Sequence, residues 1–377
     1  MPEFVQSVAN QQMPPPYHFP GVTVHSFVFD VPMDAVQRYC DTYFNLGDRR
    51  DRGFVYRALP LFPYAMLMVI QYPMMVSDCT AYLAYNEIPF SQRGYCKQNE
   101  VFVAIPLIRY GTTLQNIVLD TAIEWVLPFI AVDNSTSAFS GREMLGLQKL
   151  KGVIDLPDTP PPDGRFWANV QLPGWRSLSP DTMQELLPFL SIQTGPPIAA
   201  DRTTDPLSSV WTLLGGKFAS NLIQGFTGVF NGAESISFGL MPTPMQIVAL
   251  KQFRDAHSTD VAVYQALVGA QTRYYNVTDF QFYNQGEIDV TFEDGGSFGE
   301  IIRVFLNPPM NDSPDASVFQ TVKVPVKAAF SYKADSDFDA MRTLHTFASD
   351  KHLRDVNQPP DGDMTAPWFA PLRGFWR

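Results

Sequence analysis

The side chains best placed to do chemistry lie between Asp133 and Gly152, in the run DNSTSAFSGREMLGLQKLKG. Arg142 and Glu143 suit an ion pair or a loop anchor, since such pairs are common outside active sites. Lys149 and Lys151 carry amines. An amine attacks an electrophile only when unprotonated, a form that a free lysine with a pKa of roughly 10.4 seldom takes at neutral pH. Spacing alone predicts a turn at Gly141-Arg142-Glu143 followed by a solvated amphipathic strand, because lysines on strands are ordinarily exposed. Residues i and i+2 of a strand share a face, so Lys149 and Lys151 are expected to be neighbours.

Other constellations fit known chemistry less well. His18 and His25, like His345 and His352, are seven apart, which suits neither close metal-ligand spacing nor a triad. No serine sits in a Gly-x-Ser-x-Gly elbow. The glycines of Leu213–Phe230 have no Walker or dinucleotide spacing, and that stretch reads as a lipophilic helix or lid. Cys40, Cys79 and Cys96 are too few and scattered for a disulfide frame or zinc site, which implies reduced thiols and a cytoplasmic setting. No metal and no cofactor is expected.

The same run resembles the acetoacetate decarboxylase-like proteins. In that family an Asp-Asn pair precedes a Gly-Arg-Glu triplet, and a lysine follows six residues after the glutamate. Here Asp133-Asn134, Gly141-Arg142-Glu143 and Lys149 stand at that spacing. Tyr85-Asn86-Glu87-Ile88 is similar to an upstream glutamate site of the family, and Ala249-Leu250-Lys251 to a downstream Leu-Lys strand. Tyr17-His18-Phe19 through Asp30-Val31-Pro32 resembles its opening strand and helix.

The resemblance implies a mainly β fold, an antiparallel β-barrel or sandwich enclosing a central pocket, with a few peripheral helices. It implies a cofactor-independent lyase for a small keto acid or related ketone, assembled as a homo-oligomer. Lys149 would form a Schiff base whose iminium accepts the electron pair of a broken carbon–carbon bond. Apolar burial or a nearby cation makes such a lysine reactive. Glu87 would handle protons or position substrate. Arg142, Glu143 and Lys151 are candidates to bind substrate, with an ion pair, a loop anchor and a solvated rim residue as their plainer readings.

Departures from the family matter too. The decarboxylases proper have two consecutive lysines after a proline, where this chain has Gln148-Lys149-Leu150. A family carboxylate falls near Gln71 or Tyr72, and a family arginine near Val22. Without that arginine the site has lost its bidentate grip on a carboxylate. A ketone lacking the carboxylate, aldol or dehydration chemistry, a ligand-binding protein without activity, and an oligomeric scaffold are therefore alternatives.

The rest of the chain must supply a frame for these residues. Its 377 residues are 45% apolar, with 32 prolines and 29 phenylalanines, a composition that favours strands over long helices. A net charge of -11 without a basic stripe argues against nucleic acid or an anionic membrane as partner. Ala58–Ser77 is uncharged and long enough to span a bilayer, but its three prolines and Gln71 indicate strands broken by turns. Val322–Lys333 alternates strictly, predicting one strand with a wet face and an edge position at Pro325. Shorter strand-like runs are Thr23–Phe29, Ala65–Gln71, Val101–Ile108, Ala122–Val132, Arg165–Gln171, Gln246–Phe253, Glu287–Phe292 and Ile301–Leu306.

Helices are expected after Pro32, after Ser179-Pro180-Asp181 (with Met183, Leu186 and Leu187 on its apolar side), and at Tyr264–Val268. The divisions implied are a flexible segment 1–16, a β domain 17–356 enlarged at about 177–244, and a tail 357–377.

Overall fold

The computed structural model describes residues 12–59, 62–78, 94–111, 121–157, 163–177, 179–199, 245–298 and 320–347. Its strands follow from long apolar runs, such as Ala65–Ile70, in which successive side chains enter two different cores. In chain order these are β1 (Tyr17–Asp30), β2 (Phe54–Ala58), β3 (Tyr64–Ser77), β4 (Tyr95–Gly111), β5 (Thr121–Val132), β6 (Lys149–Lys151), β7 (Val153–Asp155), β8 (Trp167–Gly174) and β9 (Glu185–Gln193). There follow β10 (Pro197–Ala199), β11 (Met245–Arg254), β12 (Ala262–Tyr283), β13 (Asp289–Asp294), β14 (Gln320–Lys323), β15 (Val326–Phe338) and β16 (Arg342–Thr346). Among the described residues the α-helices are α1 (Met33–Tyr43), α2 (Arg49–Arg52) and α3 (Ser135–Ser140), the last of which turns Ser137, Ala138 and Ser140 into the barrel.

The larger sheet runs β4-β3-β1-β15-β12-β11-β5, and pairing of β5 with β4 closes these seven strands into a barrel. Most neighbours are antiparallel, but β11 and β6 both pair with β5 in parallel. The β5–β11 seam is short, only Trp125 with Ile247 and Val126 with Val248. Inside the barrel pack Val24, Met68, Ile70, Phe102, Ile130 and Phe330. The outward faces of the same strands, with Phe27, Leu67, Val103 and Phe129, meet the second sheet, β14-β13-β9-β8-β7. Phe129 on the barrel and Phe189 on that sheet bring their ring centroids to 4.9 Å. The fold is thus mainly β, a barrel with a sheet packed on its flank.

Three sequence expectations are corrected. Ser179–Leu187 forms no helix: Glu185–Gln193 is β9, with Leu187, Phe189 and Ile192 buried. The three-residue spacing of Met183 and Leu186 mimicked a helix, but both are exposed. Tyr264–Val268 lies inside the 22-residue strand β12 rather than a helix, paired on one side with β11. The alternating run Val322–Lys333 is two strands in two sheets. Pro325 stands where the chain crosses between them, and Ala328–Tyr332 is buried on both faces because the second sheet covers the barrel. The expected helix after Pro32 is α1, which sets Val36 and Cys40 into the outer core. Ile301–Leu306, Leu213–Phe230, most of 177–244 and the tail 357–377 lie outside the described residues. Gln12–Pro16, the described end of the N-terminal segment, is held down: Pro14 O accepts from Ser77 Oγ at 2.5 Å and Pro16 O from Asp78 N at 2.8 Å. Among the described residues no helix is long and apolar enough to cross a membrane, and most of Ala58–Ser77 is β3.

His25 marks the junction of barrel and sheet. Its ring stacks on Phe166 at 3.7 Å, and its Nδ1 lies 2.9 Å from the Tyr283 hydroxyl. Burial holds its pKa down at about 3, against 6.5 when free. The native state therefore refuses a proton that the unfolded chain takes up below pH 6.5. Stability from this residue is intact above that pH and falls as pH drops toward 3, by about 1.4 kcal/mol per pH unit. Urea unfolding at pH 7, 6, 5 and 4 should show that slope in the wild type, and H25F should be shallower by about that amount.

Candidate functional site

The segment after β5 builds the site by turning the chain back alongside that strand. Asp133 starts the turn, its two carboxylate oxygens accepting from Asn99 N and Asn99 Nδ2 at 2.7 Å each. Asn134 then caps α3 by accepting from Ser137 N at 3.2 Å, while its Nδ2 donates to Lys97 O. The helix runs on through a π-helical turn, Gly141–Leu145, and stops at Gly146, whose φ of 73° suits glycine. Lys251 packs against Gly146, and its Nζ donates to Met144 O at 2.9 Å, so this lysine caps the helix. The chain thus re-enters the sheet as β6, with Lys149 opposite Ile130.

Lys149 turns its side chain back over the helix into the barrel, and Gly141 is the reason it can. A β-carbon at position 141 would stand 2.5 Å from Lys149 Cδ and 2.8 Å from Cε. The ammonium ends 2.5 Å from Glu100 Oε2 and 3.1 Å from Ser137 Oγ. Side-chain exposure is only 9% for Lys149 and 8% for Glu100. Around the pair is a cavity of about 50 Å³, whose polar wall includes Gln98, Ser137, Tyr72 and Tyr274 among apolar neighbours. That is space for only a few water-sized groups, at roughly 10–15 Å³ each.

Other polar groups of the wall are arranged around this pair. Tyr72 and Tyr274 are both buried, and that burial, followed by the charge of Glu100, keeps both hydroxyls well above the usual tyrosine range. Tyr17 donates to Met13 O at 2.5 Å, and Ser140 Oγ accepts from Met13 N at 2.8 Å. Gln98 is buried, and its Oε1 meets no hydrogen-bond donor. Leu127 and Leu147 separate the cavity from an outer groove of about 300 Å³.

Of the described residues that the sequence offered for catalysis or substrate binding, Lys149 lines the cavity, and Arg142, Glu143 and Lys151 do not. Arg142 is exposed, with Nη1 3.4 Å from Lys149 O, where it braces the backbone. Glu143 is exposed and accepts from Gln12 Nε2. Lys151 is exposed, and its ammonium goes to Gly152 O at 2.8 Å rather than to the neighbourhood of Lys149. The solvated-strand reading fails for Lys149 and holds for Lys151. Glu87 lies outside the described residues. Leu150 packs against the outer core, so a side chain at that position faces away from the cavity. Val22 is fully buried in the inner core, and Tyr72 is in the wall.

Glu100 was missed. Its signal is an acid at the head of the apolar run Val101–Ile108, two residues before inward-facing Phe102. Finding it requires knowing that β4, β5 and β6 lie side by side, with Glu100 opposite Val132 and Lys149 opposite Ile130.

Fold and site together define a closed β-barrel with a buried lysine–carboxylate pair in its interior. No protein-family model and no curated protein matches the chain. Solved structures similar to it include acetoacetate decarboxylase from Legionella pneumophila, at 10% identity over 92% of each chain with a TM-score of 0.49. Another is the enduracididine biosynthesis enzyme MppR complexed with pyruvate, at 16% identity over 89% of this chain and 93% of that one, TM-score 0.47. A third is an acetoacetate decarboxylase-like enzyme from Sphingomonas wittichii, at 12% identity over 91% and 98%, TM-score 0.47.

Gly141 gives a direct test of this geometry. G141A should destabilise the fold by about 1–3 kcal/mol, because the new methyl collides with the lysine stem in a packed site. The comparison is the urea midpoint of G141A against wild type, with the m-value unchanged.

Proposed function

We propose that the chain is a divergent acetoacetate decarboxylase-like protein whose cavity condenses Lys149 with a small ketone, without a cofactor. The observation that carries this reading is an amine enclosed in a small cavity with a carboxylate 2.5 Å from its nitrogen. Moving one proton from Nζ to Glu100 frees the lone pair for attack on a carbonyl carbon. The protonated Glu100 can then return that proton to the departing hydroxyl, which leaves as water. The product is a cationic imine beside a carboxylate, so the charge balance of the site is the same before and after. The imine nitrogen then accepts an electron pair from a bond one carbon removed, which is the step shared by decarboxylation, retro-aldol cleavage and dehydration. Protonation at carbon and hydrolysis return the lysine.

Glu100 takes the proton-handling role that the sequence had assigned to Glu87. Among the described lining residues Lys149 is the only cation and Glu100 the only anion. A keto acid would bring a second negative charge into this largely apolar space, where an unpaired charge is costly. A neutral ketone brings none. The site is therefore read as favouring aldol or dehydration chemistry on a ketone over decarboxylation, with a keto acid lyase as the second reading.

Borohydride reduction in the presence of a panel of ketones and keto acids, followed by peptide mass mapping, tests the imine. A reduced adduct is expected on Lys149 and absent in K149M. E100Q should slow trapping by about a hundredfold, the low end of what a positioned proton donor–acceptor contributes. A panel that leaves Lys149 unmodified would sink the proposal.

A further inference from the structure

Gln98 is a buried polar residue of the cavity that the imine chemistry leaves unused. It lies on β4, two residues from Glu100, so both side chains leave the strand on the same face. It is 2% exposed, yet its Oε1 has no donor within reach. Buried acceptors are nearly always bonded, and an orphan one weakens the fold. Tyr72 is the partner of Gln98 across β3–β4. Several donors of the cavity wall are bonded to other groups. Tyr17 donates to Met13 O and Thr272 to Asp337 O. The Lys149 ammonium goes to Glu100 and Ser137.

From this orphaned acceptor we infer that Gln98 is a specificity residue, and that the ligand of the cavity is a ketone carrying a hydroxyl group. The ligand's O–H donates to Gln98 Oε1 while its carbonyl carbon lies against Lys149 Nζ. The inference rests on the imine reading and narrows its substrate class. Two residues along a strand span about 7 Å. Gln98 therefore stands one pleat repeat from the carboxylate that touches the amine, a separation suited to a hydroxyl two carbons from the carbonyl. Such a β-hydroxyketone is also the compound on which an imine breaks a carbon–carbon bond or expels water.

The test compares 4-hydroxy-2-butanone, 2-butanone and acetoacetate as ligands of the full chain. Binding is followed by ligand-observed NMR, and Lys149 trapping by borohydride in parallel. Wild type should hold the hydroxyketone about tenfold more tightly than butanone, the range of one hydrogen bond to an otherwise unpaired buried group. Q98M should bring the two within twofold of each other and melt at or above the wild-type temperature, since methionine loses no bond there. Q98L serves as a second variant should Q98M fold poorly. Equal binding of the two ketones by wild type overturns the inference whatever the variants do. So does a hydroxyl preference that survives Q98M, a Gln98-dependent preference for acetoacetate (the amide would then present its N–H), or no binding of any of the three. A Gln98-dependent preference without an adduct on Lys149 would instead remove the imine reading and leave the recognition site. An adduct without the preference would do the reverse.

Discussion

The burial of Lys149 against Glu100 is the constraint around which the rest of the molecule is arranged. Each charge alone in that interior would be strongly unfavourable, and together they are tolerated only at short distance with further hydrogen bonds. The 2.5 Å contact and the bond to Ser137 meet that condition. Removing one partner of such a pair generally destabilises by about 3–5 kcal/mol. The pair therefore joins β4 to the α3–β6 return, whose start β4 also holds through Asn99 with Asp133 and Lys97 with Asn134. Asp133, Asn134, Gly146 and Lys251 all serve to bring that return into register. The Asp-Asn pair and the Gly-Arg-Glu triplet thus read as machinery for aiming a lysine. Arg142 shares in this by bracing the carbonyl of Lys149 itself.

A barrel with two cores suits this task. The inner core seals one side of each strand and leaves only a small void around the amine. The outer core, completed by the second sheet, stiffens the same strands from behind. His25, stacked on Phe166 and bonded to Tyr283, shows how dry that junction is. The seam between β5 and β11 is the thin part of the wall, with Leu127 and Leu147 between the cavity and the outer groove. Pro128, also in that groove, has no N–H to offer a partner strand, which limits how far the seam can zip.

The amino-acid pattern made most strands legible because strands buried on both faces stand out as continuous apolar runs, as in β3 and β4. Closure of the barrel was not legible. It depends on pairings such as Tyr17 with Phe338, which no local pattern encodes. The two misplaced helices came from short apolar runs in which spacings of three and of two coexist. Pro188, inside the run, was the available signal against a helix in β9. At the site, Lys149 was legible only through the resemblance of the Gly-Arg-Glu-to-lysine spacing, since spacing alone pointed to a solvated strand. Glu100 was not, because the contact spans three strands, β4, β5 and β6, of unknown order, and an acid at a strand end is ordinarily solvated.

What distinguishes this cavity is its charge balance. Leu150 packs against the outer core and Val22 fills the inner core, so neither position brings a charge to the cavity. One cation and one anion remain among the described lining residues, bound to each other. Discrimination in such a site must then come from neutral groups. Gln98 offers an unmet acceptor at some loss of stability, and that loss is recovered only when a ligand hydroxyl arrives. Local rules are broken where function is served. Here the broken rule is one unbonded amide oxygen, two residues from the carboxylate that holds the lysine.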